Sequence, residues 1–275
     1  MWRVNIYDDP GAYELACAFR EVPPEVDALL AWSARHGLAP VRTVLELAAG
    51  PAEHSREFAR RGIAATALDL SPAMCRHAAE RAALAGVEIE IVRADMTRFE
   101  MGRRFDLVVT MLDSTSHLMT LDAFVAHFER AAAHVAAGGV YILEMNHPRD
   151  RLTDDPSVST SWEVENDGVR ADVRWGEPGD VMDPITQISD DRVTISISEP
   201  PVRPGGPRRT RVVEDVVPYR FWTATELDAA VRLAAALHPG SALEIVAQYG
   251  EFSVAPDVAV TDPEAWRLIT VLRPK

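Results

Sequence analysis

The sequence predicts an α/β fold, a Rossmann-like seven-stranded, mostly parallel sheet with flanking helices, plus an inserted antiparallel β-sheet. Three observations predict it. Short apolar runs alternate with helical stretches over residues 43–145, the rhythm of parallel βαβ units joined by right-handed crossovers. Over residues 159–217 the helical signal gives way to period-two alternation. One last helical stripe and two apolar runs, 243–249 and 266–272, then close the sheet. The 275 residues, 47% of them hydrophobic, suffice for one large core carrying a sizeable insertion.

Residues 1–37 are expected to form an N-terminal helical lid segment. Asp8, Asp9, Pro10 and Gly11 give a start signal for a helix over 12–19, and Pro23-Pro24-Glu25 opens a second helix carrying Val26, Leu29, Leu30 and Trp32. Residues 38–150 and 218–275 make the Rossmann-like domain. Its first strand, 43–47, is apolar enough to be buried on both faces. A helix over 53–61 and a strand over 64–70 follow. Ser71-Pro72 supplies an N-cap and first-turn proline for the next helix, which runs through Leu84. Strands at 87–92, 105–111 and 140–145 and a helix at 121–135 complete the parallel part.

Residues 151–217 are the expected insertion, an antiparallel sheet covering the substrate site. Trp162 and Val164 lead into Asn166-Asp167-Gly168, and Val169, Ala171, Val173 and Trp175 leave it with period two, a hairpin signal. Thr223-Ala224-Thr225-Glu226 then has the form of a capping box ahead of a helical stripe.

Composition excludes several classes. With 28 basic against 42 acidic residues, the formal net charge is −14, a poor balance for binding a polyanion such as nucleic acid. Cys17 and Cys75 lie far apart, with neither metal-ligand spacing nor a disulfide framework, so a cytoplasmic protein without a metal is expected. The first ten residues hold no apolar run for a signal peptide, and no stretch approaches the ~18 apolar residues of a membrane span.

The chemistry concentrates where the first strand ends, at Glu46-Leu47-Ala48-Ala49-Gly50-Pro51-Ala52-Glu53-His54. In open α/β sheets ligands bind beyond the carboxyl ends of the strands. The turn lacks the glycines of the dinucleotide fingerprint, and an acidic Glu46 in the crevice would repel a diphosphate. Asp69 ends the second strand, where a carboxylate can accept both ribose hydroxyls, and Asp95 ends the third, where one can bind an adenine amine. Three carboxylates at neighbouring strand ends describe a nucleoside with a cationic tail.

Val44-Leu45-Glu46-Leu47-Ala48-Ala49-Gly50-Pro51, Ala67-Leu68-Asp69-Leu70-Ser71-Pro72-Ala73-Met74, Arg93-Ala94-Asp95-Met96 and Phe105-Asp106-Leu107-Val108-Val109 together resemble the successive motifs of class I S-adenosylmethionine-dependent methyltransferases. With an antiparallel sheet inserted after the fifth strand, the chain resembles bacterial small-molecule members such as the aminosugar N-methyltransferases. The resemblance implies S-adenosyl-L-methionine as cofactor. It implies that Glu46, Ala48 and Gly50 hold the methionine portion and that Asp69 binds the ribose. Leu70 and Met74 would lie against the adenine, Asp95 and Met96 would frame its edge, and Met111 would sit near the methionine carboxylate. Tyr7 is expected to fold over the cofactor, and His54 to stand near it in the first helical turn. Alanine at 48 and 52 departs from the glycine frequent in the family.

Candidate catalytic residues follow the fourth and fifth strands: Asp113, which would stabilise a cationic amine, and His117 and His147, whose imidazoles suit proton transfer near neutrality. Glu144 and Asn146 share the fifth strand's end. The expected activity is methyl transfer to a nitrogen, oxygen or carbon of a small molecule, with a homodimer contact through the insertion. A peptide methyltransferase and a non-catalytic S-adenosylmethionine-binding protein are the alternatives.

Overall fold

The computed structural model describes residues 5–152, 157–201, 203 and 206–275. The chain begins with two helices, α1 (Pro10–Ala16) and α2 (Val22–His36). It continues through β1 (Thr43–Leu47), α3 (Glu53–Arg60), β2 (Ala64–Asp69), α4 (Pro72–Leu84), β3 (Glu90–Arg93) and β4 (Phe105–Thr110). Then come α5 (Leu121–His134), β5 (Val135–Asn146), β6 (Thr160–Asn166), β7 (Val169–Trp175), β8 (Ile188–Glu199) and β9 (Arg209–Arg220). The helix α6 (Ala224–Leu237) and strands β10 (Leu243–Tyr249) and β11 (Arg267–Pro274) end it. By contact clustering the chain divides into two units, Met1–Glu21 with Thr153–Arg220 and Val22–Leu152 with Phe221–Lys275.

In the larger unit the sheet order is β10-β11-β5-β4-β1-β2-β3. Neighbours from β5 to β3 pair in parallel, while β11 runs antiparallel to β5 and β10 antiparallel to β11. The order reverses between β4 and β1, the switch point that opens a crevice at the carboxyl ends of the strands. Ser71 caps α4 through the Met74 N–H, and Thr223 and Glu226 form the expected capping box on α6, a device worth about 1 kcal/mol.

Both faces of this sheet are covered, and period-two alternation decides which side chain meets which helix. Leu45, Leu47, Tyr141 and Leu143 pack with Phe124, Phe128 and Leu227 from α5 and α6. Val44, Val140, Ile142 and Ile269 pack with Val26, Leu29 and Trp32 of α2 and Phe58 of α3. The even positions of β1 and β5 therefore face α2 and α3, and so do the odd positions of β11. Three buried charged residues share those positions: Glu46, Glu144 and Arg267.

The smaller unit is a four-stranded antiparallel sheet, β6-β7-β8-β9. Asp167 and Gly168 form the β6–β7 turn at φ 50° and 76°, the left-handed pair that a tight hairpin requires. Val164, Ala171, Val173, Ile195, Ile197 and Val213 pack with Ile6, Ala12 and Ala16. The lid boundary expected at residue 37 thus falls elsewhere. The Ile6 N–H donates to Asp215 Oδ2 at 2.8 Å and the Trp162 indole donates to the Ala16 carbonyl at 2.8 Å, so residues 5–21 belong with the inserted sheet. α2 belongs with the larger sheet, because its apolar stripe is the cover of β1 and β4.

Candidate functional site

β1 delivers Glu46 to the carboxyl edge of the larger sheet, 2% exposed and on the face that α3 covers. The Ser55 backbone N–H and hydroxyl both donate to Glu46 Oε2, at 2.9 and 2.5 Å. Its Oε1 lies 3.4 Å from His54 Nδ1, and His54 Nε2 lies 2.8 Å from Glu25 Oε2. His54 is therefore buried between two carboxylates, one from β1 and one from α2.

The turn that follows is left-handed at alternate residues: Ala48 at φ 52°, Gly50 at 51° and Ala52 at 58°. Glycine adopts this conformation freely, whereas an L side chain pays about 1–2 kcal/mol. The turn rests on β2, with the Ala49 N–H donating to the Leu68 carbonyl at 2.9 Å and the Gly50 N–H to Asp69 Oδ2 at 2.8 Å. No side chain caps α3, since Ala52 occupies its N-cap. Asp69 Oδ1 accepts the Ser71 N–H at 2.8 Å. Burial raises the Asp69 carboxyl above its ordinary range, backbone donors from Ser71 and Gly50 oppose that, and the charge of Glu46 adds to it. Beside Asp69, Leu70 stands 65% exposed, a large apolar surface left at the edge of the crevice.

The remaining expected cofactor residues divide. Asp95 Oδ1 accepts from the Thr97 N–H at 2.8 Å and the Thr97 hydroxyl at 2.7 Å, so it shapes its own turn with one oxygen. Met96 is half-buried against the α5 side of the core, while Met74 and Met111 are core residues. Tyr7 lies in the smaller unit, its ring 5.5 Å from Tyr13 and its hydroxyl 3.4 Å from that of Tyr219.

At the end of β4 the backbone is left-handed at two consecutive residues, Leu112 at φ 53° and Asp113 at φ 52°. Neither is glycine, so the surrounding structure must hold them there. Asn146 of β5 donates to Asp113 Oδ2 at 2.7 Å, and Glu144 Oε2 accepts the Leu112 N–H at 2.7 Å. Burial pushes the Asp113 carboxyl up to about 8, opposed by the Asn146 hydrogen bond and by Arg151; the part of its surface left accessible to solvent tempers that push. Ser114–His117 then forms a short 3-10 helix with Thr115 and Ser116 buried and His117 exposed. The hydroxyls of Thr115 and Ser116 have no hydrogen-bond partner in the structure.

Both ring nitrogens of His147 are engaged. Its Nε2 lies 2.8 Å from the Val260 carbonyl and its Nδ1 accepts the Arg149 N–H at 3.1 Å, so both nitrogens fasten loops. The aromatic side chains in and just after the insertion pack against one another or into the core. Trp162 and Trp175 stack at 6.5 Å and Trp175 meets Tyr219 at 5.9 Å, while Trp222 stacks on Phe124 at 4.3 Å in the core of the larger unit. Of the arginines around the start of β9, Arg208 donates to Ser198 and to the Gly168 carbonyl, and Arg211 pairs with Asp9.

Sequence reasoning missed Glu25, Glu251 and Arg267. The Arg267 guanidinium pairs with Glu144, lies 3.2 Å from Glu251 and 3.8 Å from Glu25, and sits 3.8 Å over the Trp266 ring. A line of buried titratable side chains thus runs from Glu46 through His54, Glu25 and Arg267 to Glu144. The available signal was a charged residue inside an apolar strand, which demands a partner when both faces are covered.

Comparison with known proteins fits this geometry. Residues 44–139 match the family model described as a methyltransferase domain. A dTDP-3-amino-3,4,6-trideoxy-alpha-D-glucopyranose N,N-dimethyltransferase of Streptomyces venezuelae is 31% identical over 102 residues, 37% of this chain and 41% of that protein. A dTDP-3-amino-3,6-dideoxy-alpha-D-glucopyranose N,N-dimethyltransferase of Streptomyces fradiae is 33% identical over 102 residues, 37% of this chain and 38% of the relative. The matched stretch is about two-fifths of the length of these curated relatives. Among solved structures, Streptomyces venezuelae DesVI superposes with a TM-score of 0.76 at 21% identity, covering 100% of both chains. A S-adenosylmethionine-dependent methyltransferase from Clostridium acetobutylicum does so with a TM-score of 0.73 at 17% identity, covering 98% of this chain and 99% of that one. The fold is the α/β fold of these solved methyltransferases, and the segment 44–139 is what resembles the methyltransferase-domain model. Among the described residues no helix is long and apolar enough to cross a membrane.

Proposed function

We propose that the protein is an S-adenosylmethionine-dependent methyltransferase acting on an amine nitrogen of a small molecule, an amino sugar carried on a nucleotide being the class that its relatives' names describe. The observation that carries the cofactor is the joined ends of β1 and β2. Gly50 and Asp69 are hydrogen-bonded to each other, Glu46 is buried behind the same turn, and exposed Leu70 flanks it. Such a crevice suits a nucleoside whose tail is cationic. Its ribose would meet Asp69 and its adenine the Leu70 surface, with Met74, Asp95 and Met96 as the further wall. The ammonium and sulfonium would be drawn by Glu46 with Ala48 and Gly50, and Met111 and His54 would pack behind them.

The bound cofactor supplies an electrophilic methyl group, and the protein's share is alignment, exclusion of water and management of one proton. Alignment alone is worth about 7–11 kcal/mol in well-oriented systems. An amine arrives protonated near neutrality and must lose that proton to become a nucleophile. Asp113, raised to about 8 at the end of β4, matches such a proton, whereas desolvation pushes the His117 imidazole down to about 4 and leaves it neutral at that pH. His147 is left to hold its loops.

The test is incubation with S-adenosylmethionine and dTDP-linked 3-amino and 4-amino deoxyhexoses, followed by product mass. A gain of one or two methyl groups is expected. Calorimetric binding of S-adenosylhomocysteine without any product across amines, phenols and peptides would replace the enzyme by a binding protein, and a product only on peptides would move the acceptor class. A cytoplasmic homodimer is part of the same proposal, read by sedimentation.

A further inference from the structure

We propose that Arg267 is a positioning residue for the turn that ends β4, and that it acts through Glu144. The inference rests on the reading that this turn receives the methyl acceptor. Arg267 opens β11, and its register partner across the antiparallel pair is Asn146 of β5. The two residues of the left-handed step are held from this same strand pair. Asp113 is held by Asn146 at 2.7 Å, and Leu112 by Glu144 Oε2 at 2.7 Å. Glu144 can do so because its other oxygen, Oε1, accepts from the Arg267 guanidinium.

The surroundings make the guanidinium necessary. Glu144 is 4% exposed and Arg267 is 6% exposed, and two further carboxylates, Glu251 at 3.2 Å and Glu25 at 3.8 Å, stand around the same cation. Without the guanidinium, Glu144 would be a buried carboxylate among like charges and would take up a proton. A neutral carboxyl accepts an N–H more weakly than a carboxylate does, and the Leu112 N–H would lose its charge-assisted bond. Trp266 at 3.8 Å and Phe252 at 4.9 Å from the guanidinium carbon to their ring centres fix the plane of the group. Lysine preserves the charge and gives up the fork.

The experiment compares Arg267→Met, Arg267→Lys and Glu144→Gln with the native chain by residue-resolved amide hydrogen exchange, S-adenosylhomocysteine calorimetry and turnover of a dTDP-linked amino deoxyhexose. In Arg267→Met the Leu112 amide is expected to exchange about tenfold faster while the amides of β1 and β2 keep their protection. Turnover number should fall by about tenfold with the KM for S-adenosylmethionine unchanged, the pattern of a lost positioning contact. Arg267→Lys should recover most of both effects. Glu144→Gln keeps an oxygen for Leu112 without the ion pair and should show the same local change, smaller. A Leu112 amide unchanged in Arg267→Met overturns the proposal, and so does exchange that quickens equally throughout β5 and β11. If Arg267→Met does not fold, native protection of Leu112 in Glu144→Gln overturns it instead. If the native protein binds no S-adenosylhomocysteine and methylates nothing, the functional reading fails while the amide measurement still decides the role of Arg267.

Discussion

The ends of β1 and β4 solve one geometric problem in two ways. Both strands leave the sheet through left-handed residues that are not glycine, Ala48 and Ala52 after β1 and Leu112 and Asp113 after β4. Both ends carry a carboxylate. At β1 it is Glu46, which takes two donors from Ser55 and faces His54. At β4 it is Asp113, held by Asn146 and with a carboxyl raised to about 8 by burial. Under the proposed function the difference is a division of labour. A group saturated with donors is fixed in place and suits a ligand bound the same way in every cycle. A group with a displaced pKa suits a step in which a proton changes hands.

Replacing Asp113 tests that contrast most severely. If it removes the acceptor's proton, amine turnover should rise with pH through about 8 in the native enzyme and lose that inflection in Asp113→Asn, with a rate about 10²-fold lower at pH 9. Stability should move oppositely. A carboxyl raised from an unfolded value near 3.9 favours the fold fully below that pH, and its contribution is lost as pH rises towards about 8. Above pH 8 the asparagine variant should therefore melt higher than the native chain while turning over more slowly. A native inflection that survives in Asp113→Asn would assign the proton to the substrate.

Glu46→Gln probes the other end with a smaller effect. Glutamine keeps an oxygen for the two Ser55 donors and removes the charge. Affinity for S-adenosylhomocysteine, which retains the ammonium, should fall on the order of tenfold by calorimetry, the worth of a hydrogen bond to a charged group. Unchanged affinity would make Glu46 a support for α3 and His54 only.

The β1 end was readable in advance because it is local. Periodicity located β1, β2 and β4, Asp167-Gly168 located the β6–β7 turn, and Ser71-Pro72 located the start of α4. The β4 end was readable only in part. Asp113 and Asn146 stood out as strand-end polar residues, but nothing adjacent in sequence joins Arg267 to Glu144 or Glu25 to His54. Those pairs form because alternation along β1, β5 and β11 turns their charged residues toward the same helix layer, a consequence of strand order more than of any motif. The N-terminal split was illegible for the same reason. Ile6 and Trp32 are both fully buried, and only the tertiary structure says that one covers β6–β9 and the other β1 and β4.

The mildest perturbation separates strain from function within the β1 turn itself. Ala48 is half-exposed at φ 52°, so Ala48→Gly relieves a left-handed alanine and removes little buried surface. Relief of about 1–2 kcal/mol, less the 0.5–1 kcal/mol that glycine costs in chain entropy, leaves a net gain of about 0.5–1 kcal/mol. Ala52 has φ 58° and is fully buried with Ala49, Ala67 and Ala78. Removing its methyl gives up about 0.8 kcal/mol of burial, so Ala52→Gly should leave stability nearly unchanged. Denaturant midpoints measure both. If Ala48→Gly gains stability and binds S-adenosylhomocysteine within about twofold of the native chain, the turn's shape comes from its hydrogen bonds to β2, and the alanine methyl does not steer the cofactor. A change in affinity without a change in stability would give that methyl a place in the binding crevice, and would make the β1 end adjustable in the way the β4 end is.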